Sequence, residues 1–165
     1  MQGNINTILN SSLVSALLGS LVGGFITWRV TSSSLKEQLE YQKNILDEEK
    51  RKSEKVSLIS INMEVKHNIS QLKNIKGAME QNKLKHLNLN KEGYKLTLQN
   101  EKWIKHSETI ISIDDLDCLD ELQEFYSNIY FEIVNNISFS NRSGELIELG
   151  EKIISSLERE IKKYK

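Results

Sequence analysis

The sequence predicts an all-α protein: one N-terminal transmembrane helix, a helical stalk and an antiparallel cytoplasmic helical bundle. Three observations predict this class. Residues 8–28 form an uncharged, largely apolar run, and the chain of 165 residues contains no proline, which breaks helix interiors. Beyond the run, apolar residues recur every three or four positions, the spacing of one helix face. We expect a short extracytoplasmic N-terminus at 1–7, a transmembrane helix at 8–30, a juxtamembrane stalk at 31–55 and a bundle at 56–165.

The predicted transmembrane helix has the length that a bilayer requires. About 20 residues, rising about 1.5 Å each, span the hydrocarbon core, and the run from Ile8 meets its first charge at Arg29. Because indoles favour headgroup depth, we expect Trp28 and Arg29 to lie at the membrane interface. Two alternatives stay open. A cleaved signal peptide normally carries basic residues before its apolar run, and a buried core helix is normally shorter.

The flanking charges predict how the chain is oriented in the cell membrane. Basic residues follow the run at Arg29, Lys36, Lys43 and 50–52, and none precedes it. Cytoplasmic flanks of membrane helices are enriched in Lys and Arg. The sequence therefore predicts a single-pass protein with its N-terminus outside and its large C-terminal part in the cytoplasm.

Small residues recur every fourth position along the predicted anchor, at Ser11, Ser15, Gly19, Gly23 and Thr27. Positions four apart share one helix face, and small side chains let two membrane helices approach closely. We expect Ser15, Gly19, Gly23 and Thr27 to mediate self-association. The alternative is that the pattern only reflects the frequency of Gly and Ser in membrane helices.

The stalk is predicted from a thin apolar stripe, Leu35, Leu39 and Leu46, among many charges. Such a stripe is typical of an exposed helix that pairs with a copy of itself. The lipid bilayer and a second copy of the chain, held through anchor and stalk, are thus the expected partners, together with an unidentified protein. The 22 basic and 23 acidic residues balance, which argues against nucleic acid as a partner.

The bundle is predicted from three longer stripes at helical spacing. They comprise Leu58, Ile61, Val65, Leu72, Ile75 and Met79; Leu119, Leu122, Tyr126, Ile129, Ile133 and Ile137; and Leu146, Leu149, Ile153, Leu157 and Ile161. Asn68 interrupts the first stripe, and a buried Asn usually fixes helix pairing or bonds to a neighbouring backbone.

The segments between these stripes are less regular. Residues 80–98 are interpreted as a long connector and a candidate functional loop, and residues 100–111 as a short amphipathic helix carrying Trp103 and Ile104. Ser112 is predicted to cap the N-terminus of the following helix, with Asp114 and Asp115 in its first turn. Residues 141–144 are predicted to form a turn.

No group of residues predicts catalysis, a cofactor or a metal ion, so we expect a non-enzymatic protein. Glu64 and His67 have the Glu-x-x-His spacing of di-iron bundles, but those sites need a second copy, which the sequence lacks. His67 is expected at the surface or at its boundary, and His86 and His106 are expected to have no partner. Cys118 has no activating base nearby in the sequence and is expected to be a buried structural thiol.

The aromatic residues of the bundle are expected to belong to its core rather than to a ligand site. They are Trp103, Phe125, Tyr126, Tyr130 and Phe131.

The layout resembles a broad group of uncharacterised bacterial single-pass membrane proteins, found in Firmicutes and often in prophages or mobile elements. The resembling parts are the Gly-rich anchor from Gly19 to Thr27, the segment Glu64-Val-Lys-His-Asn-Ile-Ser-Gln-Leu72, and Trp103 followed by the run 116–137 that contains Tyr126. The resemblance implies a context of phage–host conflict, such as superinfection exclusion or abortive infection. It implies no functional residue.

Two functions of different classes are compatible with these patterns. The first is a membrane-anchored interaction or regulatory protein. The alternative is a membrane-permeabilising protein, holin-like or toxic, in which the Ser and Gly face of the anchor lines a pore.

Overall fold

A computed structural model describes the backbone of residues 2–81, 98–135 and 142–164, and the side chains of 14–81, 98–131 and 143–164. Within these residues the chain is all-helical and has no strand. The helices are α1 (Gln2–Gln81), α2 (Glu101–Ile111), α3 (Leu119–Asn135) and α4 (Arg142–Lys163). The all-α class is confirmed. Most of the predicted 80–98 connector, together with His86, lies outside the described residues.

The chain divides into two compact units, Met1–Glu49 and Lys50–Lys165, and α1 contributes to both. Residues 31–34, Thr-Ser-Ser-Ser, are helical. Serine and threonine in a helix can return their hydroxyls to a carbonyl one turn earlier, so they need not end it. The division falls inside the predicted stalk, and the stalk and bundle at 31–55 and 56–165 stay predictions.

The unit ending at Glu49 has the only helix of the described residues that is long and apolar enough to cross a membrane. Its large apolar side chains between Val14 and Val30 are all more than half exposed, from 55% at Val14 to 68% at Leu21. That exposure argues against a core helix of a soluble protein, because a core helix buries such side chains.

The second unit has a hydrophobic core to which all four helices and the turn after α2 contribute. The predicted stripe of α1 is buried from Leu58 to Ile75, and Met79 packs against its end. The stripes of α3 and α4 are buried at Leu122, Tyr126, Ile129, Leu146, Ile153 and Leu157. The spacing of apolar residues therefore predicted these buried faces. Two members of the α3 stripe, Ile133 and Ile137, lie outside the residues with described side chains.

Contacts between α1 and α4 occur in reverse order along the two helices. Lys66 pairs with Glu158, and Lys73 pairs with Glu151, each at 2.7 Å. Near the start of the unit, the Tyr164 hydroxyl donates a hydrogen bond to Glu54 at 2.9 Å. As the residue number rises along α1, its partner's number falls along α4, so these two stretches run in opposite directions.

Gly150 of α4 is buried and packs tightly against Ile69 of α1. A Cβ added there would lie 2.5 Å from the Ile69 Cδ1 atom and 3.1 Å from Phe125 Cε2. Real side chains do not approach so closely, so this position needs glycine for packing rather than for a special backbone angle.

Two local predictions are wrong. Ser112 does not begin a helix but ends α2: its N–H donates to the Glu108 carbonyl at 3.1 Å, and its hydroxyl donates to Thr109. The chain then turns through Asp115, which has a φ of 57°, and α3 begins only at Leu119. The turn predicted at 141–144 is also wrong for 142–144, which are the first residues of α4, while Asn141 lies outside the described residues.

Candidate functional site

The N-terminus of α2 is bound by a carboxylate from α1. Glu64 is 3% exposed, and its two oxygens accept hydrogen bonds from the backbone N–H groups of Lys102 (2.7 Å) and Trp103 (3.0 Å). The first N–H groups of a helix have no partner inside it and carry a partial positive charge. Glu64 therefore caps α2 from another helix, and both of its oxygens, which were considered as metal ligands, are already engaged.

Asn68 extends this attachment one turn further along α1. Its side chain is fully buried, donates to the Gln99 carbonyl at 2.7 Å and accepts from the Gln99 N–H at 2.8 Å. Of the two roles expected for a buried Asn at this position, fixing helix pairing or bonding to a neighbouring backbone, the second is observed. Glu64 and Asn68, here called the polar clamp, together fix the residues that lead into α2 against α1.

Two aromatic rings lie beside the polar clamp. The Trp103 and Tyr126 rings stack with centroids 4.8 Å apart and planes at 8°, and Phe125 meets Tyr126 edge-on at 5.6 Å. Burial, followed by the nearby Glu64 carboxylate, raises the pKa of Tyr126 far above its usual range. The Glu64 carboxylate is therefore close to the Tyr126 hydroxyl. This buried hydroxyl nevertheless has no hydrogen bond of good geometry among the described residues.

A second polar link joins α2 to α1. The Ser57 hydroxyl and His106 Nδ1 are 3.1 Å apart, so the expectation that His106 has no partner is wrong. Burial, and then the charges of Lys105 and Lys102, lower the pKa of His106 and favour its neutral form. Ser57 is only 2% exposed, which argues against a nucleophilic role for this pair and for a structural one.

Cys118 is confirmed as a buried thiol, at 2% exposure. Burial raises the pKa of Cys118 to about 11, and the Glu121 carboxylate adds to the effect. Because the thiolate is the reactive form, burial and the raised pKa both lower the reactivity of Cys118 at neutral pH.

The outer surface of α2 and α3 forms an open groove of about 460 Å³. No charged side chain lines it. Its lining residues are Asn100, Trp103, Ile104, Ser107, Ile111, Gln123, Tyr126, Ser127 and Tyr130. Tyr130 and Phe131 are 59% and 49% exposed, so the expectation that they belong to the core is wrong, whereas Phe125 and Tyr126 are buried. Helical spacing placed the α3 stripe correctly, but Tyr130 and Phe131 lie beside it.

The described residues of the predicted anchor are exposed within the unit ending at Glu49, among them Ser15, Gly19, Gly23, Thr27, Trp28 and Arg29. A Cβ added at Gly19 or Gly23 would meet nothing within 4 Å, so no contact among the described residues requires glycine there. Trp28 is 66% exposed and contacts Phe25 at a ring distance of 5.9 Å. Self-association through Ser15, Gly19, Gly23 and Thr27, and interface positions for Trp28 and Arg29, stay predictions.

Comparison of the chain with family models, curated proteins and solved structures finds no match. The resemblance to uncharacterised bacterial membrane proteins is therefore still an expectation. The polar clamp is the feature that sequence reasoning recognised least, since Glu64 was considered only as a metal ligand.

Proposed function

We propose that this chain is a membrane-anchored, non-enzymatic interaction protein of the cell membrane, with its N-terminus outside and an antiparallel helical bundle in the cytoplasm. One observation carries the proposal. The apolar side chains of the first unit are exposed, while those of the second unit fill a core of their own. Exposed apolar surface of this extent marks an interface with lipid or with another protein.

The charges that follow the anchor support the proposed orientation. Arg29, Lys36 and Lys43 flank it on one side, and cytoplasmic flanks carry such an excess. The reversed contacts between α1 and α4 support the antiparallel bundle. The role in phage–host conflict rests on the resemblance alone.

A non-enzymatic role is supported by the chemistry of the described reactive groups. Cys118 is buried and its pKa is raised, His106 is bound to a buried serine, and both Glu64 oxygens cap a helix. Each of these groups therefore contributes to the structure. The exposed and uncharged groove between α2 and α3 offers apolar surface for a protein partner.

Reporter fusions and membrane extraction test the proposed topology. In bacteria, the full chain should stay in membranes during alkaline extraction, and a reporter fused after Lys165 should read as cytoplasmic. An active alkaline phosphatase at that position would overturn the orientation. Release of the chain by alkali would overturn the anchor itself.

Replacement of the anchor glycines tests self-association. Gly19→Ile and Gly23→Ile keep the helix apolar, so insertion should survive while the bulk of isoleucine blocks close helix contact. Leu17→Ile and Leu21→Ile are matched controls away from the small-residue face. A membrane two-hybrid signal should fall for the glycine variants only. Depolarisation of cells that express residues 1–34 alone would instead favour the membrane-permeabilising function.

A further inference from the structure

The groove between α2 and α3 lies in the most acidic part of the sequence. Between Lys105 and Arg142 the chain has eight acidic residues and no lysine or arginine. The whole chain has a net charge of -1, so the remaining residues carry an excess of positive charge. The average composition therefore conceals a strong local charge on the second unit.

Exposed carboxylates flank the groove on both helices. They are Glu101 and Glu108 on α2, and Asp120 and Glu124 on α3, here called the acidic rim. Each lies three or four positions from a groove-lining residue, which is the spacing of neighbours on one helix face. None of the four forms an ion pair among the described residues. The nearest lysines in sequence, Lys102 and Lys105, are about 100° or more around α2 from the residues that line the groove.

The groove itself supplies apolar contact surface. Ile104, Ile111 and Tyr130 are 68%, 51% and 59% exposed. The stacked rings of Trp103 and Tyr126 also line it and are less exposed. Aromatic side chains in a well-packed pocket provide much of the affinity of protein interfaces. The groove thus combines an uncharged, partly aromatic lining with a rim of one charge sign.

The dimensions and the walls of the groove favour a helix as its occupant. The lining extends from Asn100 to Ile111 along α2, a distance of about 16 Å, or three turns of helix. Both walls are helices, so neither offers a strand edge to which an extended peptide could add. A third helix can instead place its side chains, three and four positions apart, between those of the two walls.

We propose that the groove between α2 and α3 docks a basic amphipathic helix of another protein, with its apolar side chains in the groove and its Lys or Arg side chains against the acidic rim. Charge complementarity decides this choice, because four exposed carboxylates attract a cationic partner and repel an anionic one. The same charges disfavour an anionic lipid surface at this site. This inference rests on the proposed function, since it specifies the partner of the interaction protein.

The groove and the acidic rim contribute to binding in different ways. Exposed ion pairs contribute little free energy each and are screened by salt, so the rim mainly selects the partner and speeds association. Apolar contacts persist when salt is added, so the groove provides the affinity. Salt therefore separates the two contributions in an experiment.

Peptide binding to the full chain in phosphatidylcholine nanodiscs tests the proposal. The probe is a labelled helical peptide of about 15 residues, with leucine at every third or fourth position and lysine on both sides of that stripe. The matched control peptide has glutamate in place of each lysine. Fluorescence anisotropy, corrected with empty nanodiscs, should show the lysine peptide binding about tenfold more tightly than the glutamate peptide at low salt.

Substitutions in the rim and in the groove separate the two contributions. Glu108→Gln combined with Asp120→Asn should weaken binding of the lysine peptide about threefold to tenfold at low salt, and much less at high salt. Ile104→Ser combined with Tyr130→Ser should weaken it about tenfold or more at either salt concentration.

Matched variants outside the groove and a reversal of charge protect the test from changes in folding. Val56→Ser, at an exposed apolar residue of α1, and Glu148→Gln, at an exposed carboxylate of α4, should leave binding unchanged. Glu108→Lys combined with Asp120→Lys should reverse the preference, so that the glutamate peptide binds more tightly. A misfolded chain would lose binding of both peptides.

The outcomes separate this proposal from the proposed function. Equal binding of the two peptides, or no binding by a chain that resists alkaline extraction, overturns the docking site and leaves the anchor standing. Self-association of the chain that is abolished by Ile104→Ser would make a second copy the occupant, and also overturns the proposal. Release of the chain by alkali, with its preference for the lysine peptide intact, overturns the proposed function and leaves the docking site standing.

Discussion

The two units use the same helix and the same kinds of apolar residues in opposite ways. Between Val14 and Val30, α1 exposes its valine, leucine, isoleucine and phenylalanine side chains. Further along, α1 buries one apolar face, formed by Leu58, Ile61, Val65, Ile69, Leu72 and Ile75. Burying one such side chain contributes about 1.5–3 kcal/mol. The second unit obtains this stabilisation from its own helices, and the first can obtain it only from lipid or another chain.

The largest expected effect concerns the core of the second unit. Leu122 and Ile129 are fully buried, so replacing either by Ala should lower the free energy of unfolding by about 2–5 kcal/mol. Urea unfolding of a fragment that begins at Lys50 would measure the loss through Trp103, the sole tryptophan of that fragment.

Ile111 provides the matched control for Ile129, because it is 51% exposed on α2. Ile111→Ala should change the free energy of unfolding by no more than about 0.5 kcal/mol. If Ile129→Ala and Ile111→Ala cost the same, the buried and the exposed apolar positions of the second unit do not differ in the way that their exposure indicates.

The next effect concerns the polar clamp. Glu64→Gln replaces one accepting oxygen with an amide NH₂ that faces the N–H groups of α2, and we expect a loss of about 1–3 kcal/mol. Glu158→Gln is the control, since Glu158 is half exposed and pairs only at the surface with Lys66. Surface changes usually stay within about 0.5 kcal/mol. Equal losses would mean that Glu64 contributes no more than a surface charge.

The smallest expected effect is a difference in sign between the stability changes caused by alanine substitution at two helical glycines. Gly150→Ala places a methyl group against Ile69 and Phe125, and overpacking of about 1–3 kcal/mol should outweigh the gain in helix propensity of about 1 kcal/mol. Gly77 has nothing within 4 Å of an added Cβ, so Gly77→Ala should stabilise the fragment by about 0.5–1 kcal/mol. Stabilisation by both changes would show that α4 does not pack closely on α1 at Gly150.

The sequence predicted what depends on spacing along one helix and missed what depends on distant partners. The buried stripes of α1, α3 and α4 follow from local periodicity, and Asn68 was expected either to fix helix pairing or to bond to a backbone group. Its partner Gln99 lies 31 residues away, beyond the connector, so no local pattern identified it. The Glu64 cap was missed for the same reason, because Glu64 lies 38 residues before Lys102.

Predictions from the local sequence were also wrong where one residue type is favoured at two different positions of a helix. Serine is favoured at the start of a helix, and its hydroxyl can equally bond to a carbonyl at the end of one, as Ser112 does. The aromatic residues of α3 show a similar ambiguity. Both Tyr126 and Tyr130 line the groove, but Tyr126 lies within the stripe and is 2% exposed, while Tyr130, one turn later, is 59% exposed.

The link between Tyr164 and Glu54 bears on how the chain is made. The Lys55 ammonium donates to the Tyr164 carbonyl at 3.1 Å, and the Tyr164 hydroxyl reaches Glu54 across 110 positions of sequence. Ribosomes add about 5–20 residues per second, so about 5–20 seconds separate the synthesis of these two residues. Throughout that interval the apolar face of α1 lacks α4, which covers part of it in the folded unit. A nascent chain that inserts its anchor early would therefore keep this apolar face exposed beside the bilayer. Chaperones and other copies of the chain would compete to bind it there.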